Sequence, residues 1–358
     1  MVDSAEFNSR YQEEAQKNMG RVQAVIDSFV VNPSAPPIAV TPHEVVWKRG
    51  KTRLLRYRPQ SQTTNPLPYL IVPWLGISRP YVLDLLPGNS FIEHLVNHGH
   101  DVYLLDWGEI AEEDKGLGFE EAVFKIIPRA IDRALEASGA TEINLNGICL
   151  GGTLTACYLA LNPDAPVRNF IAVVAPINFD EGGLFKAWLN EKNFPTDLFV
   201  ERYGGVPANL MASGFKMLRP TMEAQSLASL WANIERPDYV TNYKAMSRWA
   251  NDYIGMPGRF FSQLAKELYG KNRLMNKEFV LNGLTVDLGQ ISLPLLVVAA
   301  NQDFIVPSPA AKSLMDVVSS QDKEFVELPG GHISVFSGRQ AHQTLWPKID
   351  EWLSTRSG

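Results

Sequence analysis

Hydrophobic and polar positions divide the chain into short apolar runs that alternate with longer amphipathic segments. Helical spacing predicts a helix over residues 6–30, after which a proline-rich stretch interrupts regular structure. Residues 43–48 and 52–57 are typical of a hairpin, because a glycine-centred turn separates two strand-like runs. From residue 69 onward, strand-like and helical patterns alternate, which favours a mostly parallel sheet covered on both faces. The predicted strands are 69–72, 102–105, 143–145 and 172–174.

This alternation stops over residues 179–281, which are rich in aromatic residues and helical signals but poor in strand signals. We interpret this stretch as an inserted helical cap. The sheet pattern resumes with predicted strands at 295–300 and 324–328 and a closing helix toward Trp352. The predicted units are an N-terminal helical segment 1–40, a first core part 41–178, the cap 179–285 and a second core part 286–358.

Composition narrows the possible partners. A chain of 358 residues, 45% of them hydrophobic, can bury a large core. The net charge of −6, without a dense run of Lys or Arg, argues against a nucleic-acid partner. The N-terminus lacks the apolar run of a secretory signal, and no run reaches the roughly 18 apolar residues of a membrane span. We therefore expect a cytoplasmic protein without a transmembrane segment.

Residues 147–152 read Gly-Ile-Cys-Leu-Gly-Gly, between a predicted strand and a predicted helix. This is the form of a nucleophile elbow with cysteine in place of serine, and its glycines are needed because the turn is too tight for side chains. Cys149 would lie at a helix N-terminus, where free N–H groups favour the thiolate. Taken alone, the motif fits a structural cysteine equally well. The second cysteine, Cys157, is poorly placed for a disulfide, so we expect two reduced thiols.

Two residues after the last strands favour the catalytic interpretation. Asp303 follows the predicted strand 295–300, and His332 follows the strand 324–328 and a glycine pair. Open α/β sheets place their sites at such strand ends, and the order Cys, Asp, His is that of the α/β-hydrolase fold. Singly, each would more often be an ordinary loop residue. Together they predict an α/β-hydrolase fold with Cys149 as nucleophile, His332 as general base and Asp303 as its orienting partner.

Backbone N–H groups of Leu150 and of Leu75, or of its neighbour Trp74, are the candidate donors to an oxyanion. Trp74 is equally a candidate core aromatic. No cofactor is indicated, and no His/Cys/Asp cluster has metal-ligand spacing in the sequence. The remaining histidines have contexts typical of surface helices or loops: His43, His94, His98, His100 and His342.

A cysteine elbow favours acyl transfer over hydrolysis, because the thioester intermediate stays reactive toward a hydroxyl or a second thiol. Exchange between two thioesters is nearly even in energy, which makes a coenzyme A thioester a natural donor. His332 would deprotonate Cys149 and then the incoming hydroxyl. Aromatic residues of the cap would shield the intermediate from water.

Four segments carry a resemblance to a known family. They are Arg-Pro-Tyr-Val-Leu-Asp-Leu at 79–85, Asp-Val-Tyr-Leu-Leu-Asp-Trp-Gly at 101–108, Asn-Leu-Asn-Gly-Ile-Cys at 144–149 and Gly-Gly-His-Ile at 330–333. With them, the chain from about Thr41 onward resembles the catalytic subunit of the polyhydroxyalkanoate synthases, especially the short class III and class IV enzymes.

The resemblance implies polymerisation of (R)-3-hydroxyacyl-coenzyme A, with the polyester held on cysteine and coenzyme A released. The family's catalytic residues fall on Cys149, Asp303 and His332. A small accessory subunit, the surface of polyester granules and a homodimer are implied as well. One departure is Pro-Trp-Leu-Gly-Ile-Ser at 73–78, in the predicted oxyanion loop, where class III and IV relatives usually carry a pattern nearer to Tyr-Ala-Leu-Val-Asn.

Two other functions fit parts of the pattern. One is an esterase, thioesterase or lactone hydrolase with a cysteine nucleophile, which would release a free acid. The other is a catalytically silent granule-binding or accessory protein that keeps the fold.

Overall fold

A single eight-stranded sheet forms the centre of the protein, which a computed structural model describes over residues 4–357. Its strands lie in the order β1-β2-β4-β3-β5-β6-β7-β8. β2 is antiparallel to β1 and β4, and the other neighbours are parallel, as predicted. The strands are β1 Glu44–Arg49, β2 Thr52–Tyr57, β3 Tyr69–Val72, β4 Val102–Asp106, β5 Ile143–Ile148, β6 Val167–Val173, β7 Leu295–Ala300 and β8 Lys323–Leu328.

Helices connect the strands and flank the sheet. The predicted N-terminal helix is present as α1, and a π-helical turn Asp27–Val31 extends it. Helix α1 spans Ser4–Ile26. The longer or later helices of the core are α2 Phe91–Asn97, α3 Ile127–Ser138, α4 Leu150–Leu161, α11 Ser308–Lys312, α12 Leu314–Val317, α13 Arg339–Gln343 and α14 Leu345–Ser354. A short helical stretch, Phe119–Glu121 and Ala122–Ile126, leads into α3.

The inner strands are apolar along their whole length, because helices cover both faces of the sheet. Every residue of β3, β5 and β7 is buried. Helix α3 is amphipathic and ends at Gly139, whose φ of +78° provides the left-handed conformation that closes a helix C-terminus. The buried apolar strands thus form the rigid centre of the sheet, and the loops at their carboxyl ends carry the candidate site.

The cap lies between β6 and β7 in the chain. Its helices are α5 Gly183–Trp188, α6 Thr196–Tyr203, α7 Ala208–Leu218, α8 Met222–Asn233, α9 Pro237–Ala250 and α10 Gly258–Ser262, followed by a π-helical segment Gln263–Gly270. A short strand, Tyr253–Ile254, pairs antiparallel with Ile77–Ser78 in the loop after β3. The cap is therefore hydrogen-bonded directly to the core, although its predicted limits, 179–285, stay a prediction.

The N-terminal segment packs against the cap. Phe29 lies edge-on to Tyr243 with ring centroids 6.4 Å apart, and the Lys244 ammonium donates to the carbonyl oxygens of Ser28 and Asn32 at 2.6 Å each. Within residues 4–357, no helix is both long and apolar enough to cross a membrane.

Candidate active site

Cys149 occupies a strained turn between β5 and α4. Its φ of 53° and ψ of −128° are unusual for a residue with a side chain, and such strain is concentrated at functional sites. The Cys149 N–H donates to the Val173 carbonyl at 3.0 Å, and the Cys149 carbonyl accepts from Gly152 at 2.8 Å. The turn presents the thiol at the carboxyl edge of the parallel strands, where the sequence places it.

The glycines around Cys149 are required by close packing. A methyl group at Gly151 would collide with the carbonyl oxygens of Val72 and Pro73, and one at Gly152 would collide with Ala175. The obstacles at Gly151 are backbone atoms, which cannot rotate away. The elbow therefore packs directly against the end of β3, as the tight turn predicts.

Asp303 and His332 form a buried carboxylate–imidazole pair. Nδ1 of His332 lies 2.6 Å from Oδ2 of Asp303. The other carboxylate oxygen accepts from the N–H groups of Ile305 and Val306, at 2.9 Å each. Because both oxygens are held, the carboxylate has a single orientation, and it fixes the tautomer in which His332 Nε2 is free for Cys149.

The loops that carry this pair are joined to each other. The Gln302 N–H donates to the Gly330 carbonyl at 2.9 Å, and the Gly330 N–H donates to Oδ1 of Asn301 at 3.1 Å. Ser334 Oγ accepts from the Gly331 N–H at 2.8 Å. Hydrogen bonds between the loops that follow β7 and β8 therefore fix the distance between Asp303 and His332.

The electrostatics favour a charged imidazole. Burial lowers the pKa of His332, but the negative charges of Asp303 and Cys149, and the hydrogen bonds that the imidazole donates to both, raise it by more. The net pKa of His332 lies well above its ordinary value. This balance favours the protonated, positively charged His332 imidazole at neutral pH.

The loop after β3 lies beside the elbow, and two indole rings hold it. Nε1 of Trp74 donates to the Ser78 carbonyl at 2.8 Å, and Nε1 of Trp107 donates to the Pro73 carbonyl at 2.9 Å. Trp74 is buried in the core, so its role as a core aromatic is confirmed. Among the described residues, neither the Leu75 nor the Leu150 N–H has a hydrogen-bond acceptor. Both backbone groups are thus available as oxyanion donors, and that role stays a prediction.

The cap closes over this edge of the sheet. Cys149 is 5% exposed and His332 7% exposed. Tyr269, from the π-helical segment of the cap, is buried, and burial together with the negative charges of Cys149 and Asp303 raises the pKa of its hydroxyl. Nothing in the sequence singles out Tyr269, since the cap has no motif that relates it to the elbow.

The two cysteines differ in their surroundings. Both are free thiols, as predicted. Cys157 is fully buried in α4, and burial raises the pKa of its thiol with no basic partner to oppose it. Cys149 alone of the two contacts a histidine. The structure thus brings together the three predicted triad side chains, whose catalytic roles stay a prediction.

The fold places one group of histidines differently from the sequence analysis. His100 was expected at a surface position but is buried, with Nε2 3.2 Å from Oδ1 of Asp350. His94 and His98 approach Oδ2 of the same carboxylate, and the ligand atoms of His94, His98 and Asp350 all lie within 4.8 Å of one another. The sequence shows no such cluster because Asp350 is 256 residues beyond His94.

Comparisons with known proteins agree with this fold. The family model for the α/β hydrolase fold matches residues 83–338, and the model for the N-terminus of poly-beta-hydroxybutyrate polymerase (PhaC) matches residues 13–95. Among solved structures, a monoacylglycerol lipase from Paleococcus ferrophilus has a TM-score of 0.54 at 19% identity, over 85% of this chain and 99% of its own. An α/β hydrolase fold protein from Nakamurella multipartita has a TM-score of 0.51 at 17% identity, over 88% of this chain and 100% of its own. At these identities the likeness shows the fold alone.

Several curated relatives carry the name poly(3-hydroxyalkanoate) polymerase subunit PhaC. The protein from Haloferax mediterranei is 34% identical over 98% of this chain and 71% of its own length. The proteins from Allochromatium vinosum and Synechocystis are 35% and 30% identical, over 91% and 89% of this chain and 92% and 86% of their own lengths. The chain therefore belongs to the poly(3-hydroxyalkanoate) polymerase subunit PhaC family, within the α/β-hydrolase superfamily.

Proposed function

We propose that this protein is an acyltransferase that polymerises (R)-3-hydroxyacyl-coenzyme A into polyhydroxyalkanoate through a thioester on Cys149. Family membership supports the reaction class. The observation that carries the mechanism is the contact of Cys149, in its strained elbow, with a histidine bound to a buried aspartate at 2.6 Å.

The first step is acylation of the enzyme. The Cys149 thiolate attacks the carbonyl carbon of the coenzyme A thioester, and the carbonyl oxygen becomes an oxyanion. N–H groups of Leu150 and Leu75 donate to this oxyanion. The bond from the carbonyl carbon to the coenzyme A sulfur then breaks. The His332 imidazolium gives its proton to the leaving sulfur, so free coenzyme A and an acyl-Cys149 thioester result.

The second step lengthens the polymer. Neutral His332 now accepts the proton of the 3-hydroxyl group of another hydroxyacyl-coenzyme A, and the hydroxyl oxygen attacks the acyl-Cys149 carbonyl. The C–S bond to Cys149 breaks, which restores the thiolate and the imidazolium and forms an ester one unit longer on coenzyme A. That product acylates Cys149 again with release of coenzyme A.

Burial of the site supports transfer over hydrolysis. Cys149 is only 5% exposed, so an acyl group on its sulfur is shielded from bulk water, and the buried Tyr269 of the cap lies on the same side. Because Cys149 and His332 are so little exposed, we expect the cap to move when each coenzyme A thioester binds.

The direct test is incubation of the purified protein with (R)-3-hydroxybutyryl-coenzyme A, with thiol release followed over time and products weighed by mass spectrometry. We expect coenzyme A release and oligoester on Cys149. Cys149→Ala should abolish both coenzyme A release and oligoester formation. The matched variant Cys157→Ala removes the buried thiol within α4 and should retain both activities.

Other outcomes would change the assignment. Coenzyme A release with only free 3-hydroxybutyrate would make the protein a thioesterase. No release, with an accessory subunit present, would favour a different acyl donor or a silent relative. Oligoester formation by Cys149→Ala would remove the proposed nucleophile.

The accessory subunit, the granule surface, the homodimer and the cytoplasmic location stay predictions. Exposed apolar side chains lie on α1 and on the cap helices, where contacts with such partners would bury them. They include Met19, Val22, Leu198, Leu210, Met217, Leu227 and Trp231. Light scattering of the purified chain, alone and with an accessory subunit, would measure which assemblies form.

A further inference from the structure

We propose that His94, His98 and Asp350 form a binding site for a divalent transition-metal ion of the Zn²⁺ type, at the edge of the sheet opposite the candidate active site. His94 and His98 lie at the C-terminal end of α2, which leads into the start of β4. Asp350 lies in α14, which packs against α2. The site therefore joins two elements that are far apart in the chain.

The two histidines are four residues apart at the end of one helix, a spacing that directs both rings to the same side. Their ring centroids are 4.0 Å apart, with the planes inclined by 32°. Nε2 of His94 lies 2.7 Å from Oδ2 of Asp350, and Nε2 of His98 lies 3.9 Å from the same oxygen. Ligand atoms 2.0–2.1 Å from a tetrahedral zinc ion are about 3.3 Å apart, a value between these two distances.

The tautomer of His98 is set by its own helix. Nδ1 of His98 lies 2.7 Å from the carbonyl oxygen of His94, a contact that requires a proton on Nδ1. In the neutral imidazole Nε2, which lies 3.9 Å from Oδ2 of Asp350, is therefore unprotonated, and its lone pair is free to bind a metal. Metal-binding histidines characteristically donate their other ring nitrogen to a carbonyl or carboxylate in this way.

A third histidine orients the carboxylate. His100 is buried, and its Nδ1 has no hydrogen-bond partner among the described residues. Nε2 of His100 lies 3.2 Å from Oδ1 of Asp350. When Nε2 carries the proton, His100 donates to Oδ1 and leaves Oδ2 directed at His94 and His98. His100 is thus a positioning residue of the proposed site, not a ligand.

The ligand set selects the class of ion. Two imidazoles and one carboxylate suit zinc, cobalt, nickel or copper, whereas Mg²⁺ and Ca²⁺ prefer oxygen ligands alone. The His98 side chain is 52% exposed, so an ion can reach the site from solvent, and water would complete its coordination. The Nε2 proton of His94 is displaced on binding, either to its Nδ1 or to solvent. Because α2 and α14 would share one ion, binding should stabilise the folded chain.

The test uses untagged protein in the Cys149→Ala background, so that neither added histidines nor the Cys149 thiol compete for metal. Zn²⁺ is titrated against a chromophoric chelator after prior chelation, and thermal unfolding is measured with and without Zn²⁺. We expect one Zn²⁺ ion to bind per chain and to raise the melting temperature, whereas Mg²⁺ should leave the melting temperature unchanged. Co²⁺ bound in place of Zn²⁺ should give the visible spectrum of a tetrahedral site.

Variants in the same background locate the ion. His98→Ala and Asp350→Asn should each weaken zinc binding by at least about tenfold. Two control variants should bind zinc as the parent does. They are His342→Ala, which removes an exposed ring in tilted contact with Trp346 beside the cluster, and the distant His43→Ala. His98→Ala keeps the pair between His94 and Asp350, so the fold should survive, and circular dichroism checks this. No zinc binding at micromolar concentrations by the folded parent, or equal binding by folded His98→Ala, would overturn the proposal.

Discussion

Two aspartate–histidine groups lie at opposite edges of one sheet. At the carboxyl ends of the strands, Asp303 holds His332, which contacts Cys149. At the opposite edge, Asp350 is approached by His94 and His98. The first pair is almost fully buried, whereas the His98 side chain is 52% exposed.

The groups share their chemistry but differ in what surrounds them. His332 has the Cys149 thiol on its free side, and the Leu75 and Leu150 N–H groups nearby have no hydrogen-bond acceptor within residues 4–357. The His98 side chain is exposed to solvent, and no thiol or hydroxyl group in the described part of the chain is hydrogen-bonded to it. An aspartate–histidine pair is therefore not catalytic by itself. The strained elbow at Cys149 distinguishes the proposed catalytic site, since it adds a thiol to the aspartate–histidine pair.

The largest contrast should come from the histidines. We expect His332→Gln to lower the rate of coenzyme A release about 10³-fold, because the acid and base of both steps is lost. His342→Gln, at the opposite edge, should leave the rate unchanged. Near-UV circular dichroism verifies that both variants are folded. A wild-type rate in His332→Gln would remove the base assignment.

Asp303→Asn should have a smaller effect, about 10²-fold on turnover, because His332 remains in place without its charged partner. Elongation should slow more than the first acylation, since deprotonation of a hydroxyl requires a stronger base than release of a thiolate. Rapid quenching followed by mass spectrometry separates acyl-Cys149 formation from oligoester growth. An unchanged elongation rate would contradict this role.

Gly151→Ala should disturb the catalytic edge through packing alone. A methyl group there meets backbone carbonyls of Val72 and Pro73, so we expect a loss of about 1–3 kcal/mol in the free energy of unfolding. Gly214→Ala in α7 has open space around it and should instead gain about 0.5–1 kcal/mol. Urea unfolding measures both. Equal stability of the two variants would show that the elbow can relax.

The smallest expected effect is a pH dependence of stability. Because the folded pKa of His332 is raised above 6.5, its contribution is fully present below pH 6.5 and is lost as pH rises through the folded pKa. The difference in unfolding free energy between the wild type and Asp303→Asn should therefore shrink as pH rises above neutrality. Urea unfolding over a pH series measures it, and a difference that grows with pH would reverse the inferred sign.

The sequence suffices for the sheet and for the proximity of the three predicted side chains, because both follow from local patterns. Apolar runs define the strands, and residues placed directly after parallel strands meet at one edge. Cys149, Asp303 and His332 each follow a strand in this way. The glycine requirement is equally local, since a sharp strand-to-helix turn excludes side chains wherever it occurs.

What the sequence did not reveal depends on contacts between distant segments. Tyr269 reaches the site from a cap helix, and Asp350 meets His94 across 256 residues. His100 looks like a loop residue because a glycine precedes it, but α14 covers it. Such contacts are set by how helices dock, which periodicity alone does not specify.

The pairing of Tyr253–Ile254 with Ile77–Ser78 would link any movement of the cap to the geometry of the proposed oxyanion loop. The cap strand is bonded to the same loop that offers the Leu75 N–H, so an outward movement of that strand pulls on a proposed oxyanion donor. When the cap is open to the monomer, the Leu75 N–H would then be displaced from the position in which it can donate to the oxyanion. Water that enters while a monomer binds would meet an acyl-Cys149 thioester without its proposed oxyanion donor. Hydrolysis of the thioester, and with it loss of the polymer chain, would therefore be slow while the site is open.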